Sequence, residues 1–382
     1  MSRTSRIAGP TTVLGDVDEV IAGRPQSVAL DVTPCLSGQT GVARYVRELD
    51  AGLVRLGLDV HRFAIGRSIH PPPADTKRLL VPMRIVHRGW AALGWPSVER
   101  LTGAVDVVHA TDLVPPPAAA PVVLTVHDLA ALDHPKLHPP RAVKLQRAQV
   151  AAAQRSNAVI AGSRATAAAL ARRGVDPDRV TVVAYGATRL PTPSDPPFKS
   201  GTYILGVGAL AARKGWEVLF EAFSAARLHD LKLVIAGLDG FGADRIRAAA
   251  RRSSACDRIV LLGAVNDATL AGLYRDCLAV CLPSWDEGFG LTVVEACAAD
   301  APLLLSDIAV LRETGADAAW YAAPGDVGAW ALMLQRAADE PAALATLSSR
   351  RRQIGAAYTW DRCARETVSV YESAIARFAS FG

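Results

Sequence analysis

Short apolar runs recur along the chain, and each is followed by a longer Ala- and Arg-rich stretch with a helical pattern of apolar positions. The runs predict strands at 28–32, 105–109, 122–126, 158–161 and 181–183, and a second series at 203–207, 231–236, 258–262, 278–282 and 302–306. Most of these runs are continuous rather than alternating, the pattern of strands covered on both faces of a parallel sheet. Helices are predicted between them, for example over 142–155, 164–173 and 216–226. Strand and helix therefore alternate twice over. The fold class is α/β, with doubly wound parallel sheets carrying helices on both faces.

The two series are separated by Pro191-Thr192-Pro193-Ser194-Asp195-Pro196-Pro197, a composition that favours an extended, semi-rigid linker. This divides the 382 residues into a first Rossmann-like domain over 27–190, a linker over 191–200 and a second Rossmann-like domain over 201–355. A helical, amphipathic tail over 356–382 is expected to cap one domain or to cross back to the first. Residues 1–26 are polar and irregular, without the apolar stretch of a signal peptide, and are expected to be mobile. No apolar run approaches the ~18 residues of a membrane span, so a cytoplasmic protein is expected, with peripheral contact at the inner membrane face left open. The net charge of +5 suits phosphate-bearing ligands or an anionic surface. No basic run interleaved with aromatics is present, which argues against a nucleic-acid partner. The six cysteines form no CxxC pair and read as buried thiols rather than a disulfide or metal site.

Ligands of open parallel sheets bind beyond the carboxyl ends of the strands. Small and polar residues cluster there: His109-Ala110-Thr111-Asp112, His127-Asp128, Gly206-Val207-Gly208 and Pro283-Ser284. The most informative stretch runs from Pro283 through Glu287-Gly288-Phe289-Gly290-Leu291-Thr292 to Glu295-Ala296. Its glycines allow close approach of backbone to a ligand, and the helix start that follows suits a diphosphate. Glu287 and Glu295 can border one pocket and accept hydrogen bonds from vicinal hydroxyls of a sugar and a ribose. Arg213-Lys214 follows the first strand of the second series. Two cations before a helix oppose its dipole, so an anionic partner is expected for them. His127 ends an apolar strand, where a structural hydrogen bond is the competing reading. Asp112 reads equally well as a binder of acceptor hydroxyls or as a helix cap. There is no P-loop, no dinucleotide fingerprint before a distal acid, and no metal-ligand spacing such as HExxH.

The string Glu287-Gly288-Phe289-Gly290-Leu291 followed by Glu295-Ala296 resembles the EX7E signature of the retaining GT-B glycosyltransferases of family 4. The resemblance extends to Thr40-Gly41-Val42-Ala43-Arg44-Tyr45, Thr125-Val126-His127-Asp128-Leu129, Val207-Gly208-Ala209-Leu210 with Arg213-Lys214-Gly215, and Ser306-Asp307 followed by Glu313. It implies two Rossmann-like domains facing across a cleft and transfer of a sugar from a nucleotide diphosphate with retention. The donor would lie on the second domain, held by Gly208, Arg213, Lys214, Glu287, Gly288, Phe289, Gly290, Leu291, Thr292 and Glu295. In that scheme Glu295 takes the ribose, Arg213 and Lys214 the diphosphate, and Glu287 the transferred sugar, with His127 beside the reactive carbon. Gly41, Arg44, Asp112, His127 and Asp128 would serve the acceptor side. The chain departs from the pattern at Ala209, where many members carry Arg. The resemblance implies no metal or other cofactor. Its Arg-Lys form points first to mannosyl or rhamnosyl transfer from a GDP- or dTDP-sugar, then to a UDP-sugar, onto a glycan, a lipid-linked saccharide or a small molecule. The competing functions are a GT-B sugar-nucleotide epimerase or hydrolase, a sugar-nucleotide-binding scaffold without catalysis, and an NAD-type oxidoreductase, the last disfavoured by the missing fingerprint.

Overall fold

Val28, Ala29 and Leu30 are fully buried because the strand that carries them has a neighbour on each side and helices on both faces. The computed structural model describes residues 25–381 apart from 39, 69, 82–84, 87–89, 91–94, 113 and 229. The mobile segment expected over 1–26 therefore lies, but for its last two residues, outside the described residues. Among the described residues the first sheet has seven parallel strands: β1 (Ser27–Asp31), β2 (Asp59–Ile65), β3 (Lys77–Leu79), β4 (Val107–Ala110), β5 (Val122–Val126), β6 (Ala158–Ala161) and β7 (Val180–Val182). Their order is β3-β2-β1-β4-β5-β6-β7. The second sheet has six: β8 (Tyr203–Val207), β9 (Lys232–Ala236), β10 (Ile259–Gly263), β11 (Ala279–Leu282), β12 (Leu303–Ser306) and β13 (Ala319–Ala322), ordered β10-β9-β8-β11-β12-β13. Both orders reverse beside the first strand, which is the doubly wound GT-B arrangement and opens a crevice there in each domain.

Three of these strands escape the hydrophobic pattern. In β2, Asp59, His61 and Arg62 interrupt the apolar positions, and Arg62 Nε turns back to the Asp50 carboxylate at 2.8 and 2.9 Å. Strands β3 and β13 are short edge strands with one neighbour each, so neither needs a long apolar run. Of the cysteines, five are buried as expected, whereas Cys256 is exposed at the start of a short 3-10 helix.

The C-terminal segment joins the two halves. Helix Ser348–Ala357 packs on helix Leu291–Ala298 of the second domain. The next helix, Trp360–Phe381, instead packs on helix Gly41–Arg55 and against β4, β5 and β6 of the first domain. Beneath it His109 is wholly buried between the Tyr371 hydroxyl and Thr125 Oγ1, both at 2.7 Å, and burial pushes its pKa down to about 3. The two stretches that cross between domains are tied to each other by Ala187 N donating to Tyr358 O at 3.0 Å. No helix of the described residues is long and apolar enough to cross a membrane.

The seam between helices Gly41–Arg55 and Trp360–Phe381 is close because Gly52 has no side chain: a Cβ there would stand 2.7 Å from Ala364 Cβ. Gly52→Val is expected to destabilise the fold by about 1–3 kcal/mol through overpacking, read as a lower melting temperature. Ala364→Gly in the same chain should recover part of that loss, whereas simple additivity of the two changes would show that the seam is not where the strain falls.

Candidate active site

The carboxyl ends of β8 and β11 face those of β5 and the start of helix Gly41–Arg55 across a cleft of about 580 Å³. After β8 the chain makes a tight turn over Ala212–Lys214 that closes on Gly215 at φ 70°. A side chain at Gly215 would run into the Pro283 carbonyl, and Trp285 N donates to Arg213 O at 2.9 Å. The absence of a Cβ thus lets the Arg213-Lys214 turn lie directly on the loop after β11. On that loop Glu287 is buried. Its Oε1 accepts from Lys214 Nζ at 2.5 Å and from Ser284 Oγ at 2.6 Å, and its Oε2 accepts from Arg213 at 3.1 Å. Burial alone raises a carboxylate's pKa, but here the Lys214 and Arg213 charges outweigh it and bring Glu287 down to about 2. Burial lowers the Lys214 pKa, opposed by Glu287. The loop is therefore a buried, ionised carboxylate between two cations, with Arg213 also donating to Asp286 O at 3.1 Å.

Gly290, at φ 88°, starts helix Leu291–Ala298, whose second turn carries Glu295 into the far end of the same cleft. Glu295 is also buried, yet its environment is the reverse of Glu287's. Burial raises its pKa to about 7, with Arg44 opposing and Asp267 adding to the rise. Arg44 comes from the first domain. Its guanidinium meets Asp267 Oδ1 at 2.6 Å and stands 3.4 Å from Glu295 Oε1.

His127 lines the wall opposite, with both ring nitrogens engaged: Nδ1 lies 2.7 Å from the Tyr185 hydroxyl and Nε2 2.7 Å from Thr111 O. A carbonyl can only accept, so Nε2 donates to Thr111 O, and Nδ1 is hydrogen-bonded to the Tyr185 hydroxyl. The neighbouring Asp128 Oδ1 accepts from Ala130 N and Gln146 Nε2. The two walls touch at Gly288, where any Cβ would strike the His127 carbonyl and where Gly288 O accepts from Ser163 Oγ at 2.8 Å. No group of three or more His, Cys, Asp or Glu placed to hold a metal ion occurs among the described residues.

Two family models divide the chain at the domain boundary. Glycosyltransferase Family 4 matches residues 39–187, and Glycosyl transferases group 1 matches residues 193–360. The protein is a GT-B glycosyltransferase of family 4. A D-inositol 3-phosphate glycosyltransferase of Xylanimonas cellulosilytica is 27% identical over 387 aligned positions, covering 88% of this chain and 92% of that protein. An uncharacterized glycosyltransferase of Methanocaldococcus jannaschii is 33% identical over 177 residues, but the match spans only 45% of either chain. Among solved structures, a sucrose-phosphate synthase from Thermosynechococcus elongatus superposes with a TM-score of 0.73 at 20% identity, over 93% of this chain and all of that one. HepE of Anabaena in complex with UDP and glucose gives 0.66 at 16% identity, over 90% and 98%. At such identities these likenesses describe the fold.

In this glycosyltransferase Gly41, Arg44, His127, Asp128, Gly208, Arg213, Lys214, Glu287, Gly288, Phe289, Gly290, Leu291, Thr292 and Glu295 all line one cleft. Two residues expected on the acceptor side have surroundings that the sequence did not show. Arg44, expected on the acceptor side, reaches across to Asp267 and Glu295 of the second domain, because the first turn of its helix points into the gap between the sheets. Asp112 does not line the cleft. It follows β4 beside Asp31, and no helix starts after it for it to cap among the described residues. Four contributors went unassigned in the sequence. Ser284 lay inside the quoted string without a role. Asp267 follows Asn266, whose side chain caps the next helix at 2.8 Å from Thr269 N, so this acid looked like ordinary helix-start chemistry. Tyr185 and Tyr274 carry no spacing signal and reach the site only through the packing of distant elements.

The Glu295 shift fixes a sign for stability against pH. A carboxyl whose folded pKa lies near 7 rather than at the ordinary 4.5 binds more protons folded than unfolded between those values, so stability falls as pH rises through that window. The loss amounts to roughly 3 kcal/mol above pH 7.5. Glu295→Gln should therefore melt higher than wild type at pH 8 and nearly level with it at pH 5. An equal offset at both pH values would mean that the carboxyl is not held near 7.

Proposed function

We propose that the protein is a retaining hexosyltransferase that moves a sugar from a nucleoside diphosphate to an acceptor hydroxyl. The observation that carries this reading is the pairing of Glu287, ionised between Arg213 and Lys214, with Glu295 at the other end of the same cleft. The two carboxylates are suited to different hydroxyls: Glu287 to those of the transferred sugar, Glu295 to the ribose. Arg213 and Lys214 offset the charge that grows on the departing diphosphate, in a site closed to water. The bond between the anomeric carbon and the phosphate oxygen breaks, leaving an oxocarbenium-like sugar. The acceptor oxygen bonds to the same face, and its proton passes to the leaving phosphate. The engagement of both His127 nitrogens supports the phosphate rather than the imidazole as the base. His127 then shapes the wall beside the reacting carbon, and the first domain, near Gly41 and Asp128, receives the acceptor.

The donor sugar is proposed as mannose or rhamnose on GDP or dTDP, with a UDP-sugar as the next candidate, the class that HepE of Anabaena holds in its complex with UDP-glucose. The acceptor is a glycan, a lipid-linked saccharide or a small hydroxylated molecule. The likeness to a D-inositol 3-phosphate glycosyltransferase keeps the last of these in view. A sugar-nucleotide epimerase or hydrolase built on the same cleft would consume donor with no acceptor present, which separates it from a transferase in one assay.

Isothermal titration with GDP, dTDP and UDP should give micromolar binding of one nucleotide, weakened by Glu295→Ala. Failure of all three to bind folded protein would remove the proposal. Glu287→Ala should lower turnover at least a hundredfold, on the scale of removing one charge-stabilising group, and near-normal turnover would leave Glu287 without the assigned role. We propose further that the two cations make a metal unnecessary. Turnover should persist in EDTA, and a loss restored by Mg²⁺ or Mn²⁺ would overturn this.

A further inference from the structure

Arg44 is the first-domain cation that stands beside the second domain's Glu295. Its Nη1 and Glu295 Oε1 face each other at 3.4 Å, both shut off from solvent, and neither makes a hydrogen bond. Buried polar groups left this way in a native protein call for a specific explanation, a ligand atom among them. A hydroxyl bridging the two would have to part them beyond 3.4 Å, and would then accept from Arg44 and donate to Glu295. The other half of the guanidinium is anchored: Nη2 donates to Asp267 Oδ1 at 2.6 Å, so Arg44 is aimed by one carboxylate at another. Both acids belong to the second domain, on helices Asp267–Asp276 and Leu291–Ala298, while Arg44 rides on the first turn of helix Gly41–Arg55.

We propose that Arg44 is a positioning residue for the donor, reaching across the cleft to align Glu295 so that the ribose-binding carboxylate is complete only when the two domains are closed on each other. This rests on the reading of Glu295 as the ribose acceptor. Opening the cleft withdraws the cation, leaves Glu295 buried without a counter-charge and weakens its hold on the nucleotide, so release follows opening. The remaining groups that face Glu295 cannot replace Arg44. Glu48, from the same helix as Arg44, and Asp267 both disfavour its ionised form, and Tyr274 supplies one long hydrogen bond at 3.5 Å. On the helices packed around it the cations are committed elsewhere: Arg275 to Asp276 and Asp195, Arg351 and Arg352 to Asp300, and Arg312 to Asp307. Glu313 is taken up by Arg164 N.

The test is the pH profile of nucleotide affinity, measured by titration from pH 5.5 to 8.5 with whichever of GDP, dTDP and UDP binds the wild-type protein best. Glu295→Gln supplies the baseline, since it retains the diphosphate's own titration. Relative to it, wild-type affinity should fall about tenfold toward acid pH as Glu295 protonates, the scale of one charge-assisted hydrogen bond. Arg44→Leu should move that midpoint alkaline by about one pH unit, on the scale of removing one neighbouring opposite charge. Arg44→Lys, which keeps the charge, should return it most of the way. Asp267→Asn should move it acid, because a repelling charge is lost and Arg44 is freed toward Glu295. A purely structural role for Arg44 would produce no such opposed pair of shifts. Midpoints that do not move, or that move in the same direction in Arg44→Leu and Asp267→Asn, overturn the inference. Should Arg44→Leu fail to fold, a wild-type midpoint in Asp267→Asn overturns it equally. A Glu295→Gln protein that binds nucleotide as tightly as wild type at every pH fails the ribose reading itself, and the inference with it.

Discussion

A carboxylate shut away from water must be surrounded by charge or donors, or it will take up a proton. The architecture of this glycosyltransferase follows from meeting that constraint at Glu287. The carboxylate needs Lys214, Arg213 and Ser284 together, and those residues come from two loops that follow neighbouring strands, β8 and β11. Only the reversal of strand order between these two strands leaves a crevice at their ends, and only a Gly215 without a side chain lets one loop settle on the other. The resulting cluster holds negative charge with positive charge on either side, which suits a reaction in which a sugar becomes cationic while its leaving group becomes anionic.

The same cleft holds a second carboxylate in the opposite condition. Glu295 is as buried as Glu287 but has one cation, borrowed from the other domain, and two nearby acids. Eight positions along the chain separate two glutamates whose pKa values lie about five units apart, at about 2 and about 7. Groups whose environments pull them apart in this way are commonly given different tasks. Here one is held between two cations of its own domain, and the other has its cation from the facing domain.

The relative position of the domains is held by apolar packing, with Phe289 and Val294 of the second domain entering the first domain's core and the Phe289 ring 4.8 Å from that of Tyr185, and by a few polar contacts. Gly288 packs on the His127 carbonyl and bonds Ser163, Glu313 receives Arg164 N, and Arg44 spans to Asp267. The chain crosses twice between the domains, and the crossings are hydrogen-bonded to each other, as expected of a hinge. The last helix is a long lever on the first domain, seated through Tyr371 and His109 in its core.

Much of this was legible in the residues. The buried strands β1, β5, β6, β8, β9 and β11 announce themselves as continuous apolar runs, because a strand covered on both faces has nowhere to put a polar side chain. The string from Glu287 to Glu295 carries its own chemistry, since a glycine-rich turn and a helix start are local structures that local sequence encodes. Edge strands β3 and β13 were not legible, because one neighbour and a solvent face relax the pattern. The partners of the site residues were not legible either. Arg44 and Glu295 are 251 positions apart, and nothing along the chain says that a side chain at the start of one domain's helix will close on an acid of the other. The sequence by itself determined ten of the strands, which loops carry charge and which family's chemistry they serve. The tertiary structure alone decided which charges meet, because ionisation inside a protein depends on distances and burial that arise only once both domains are packed across the cleft.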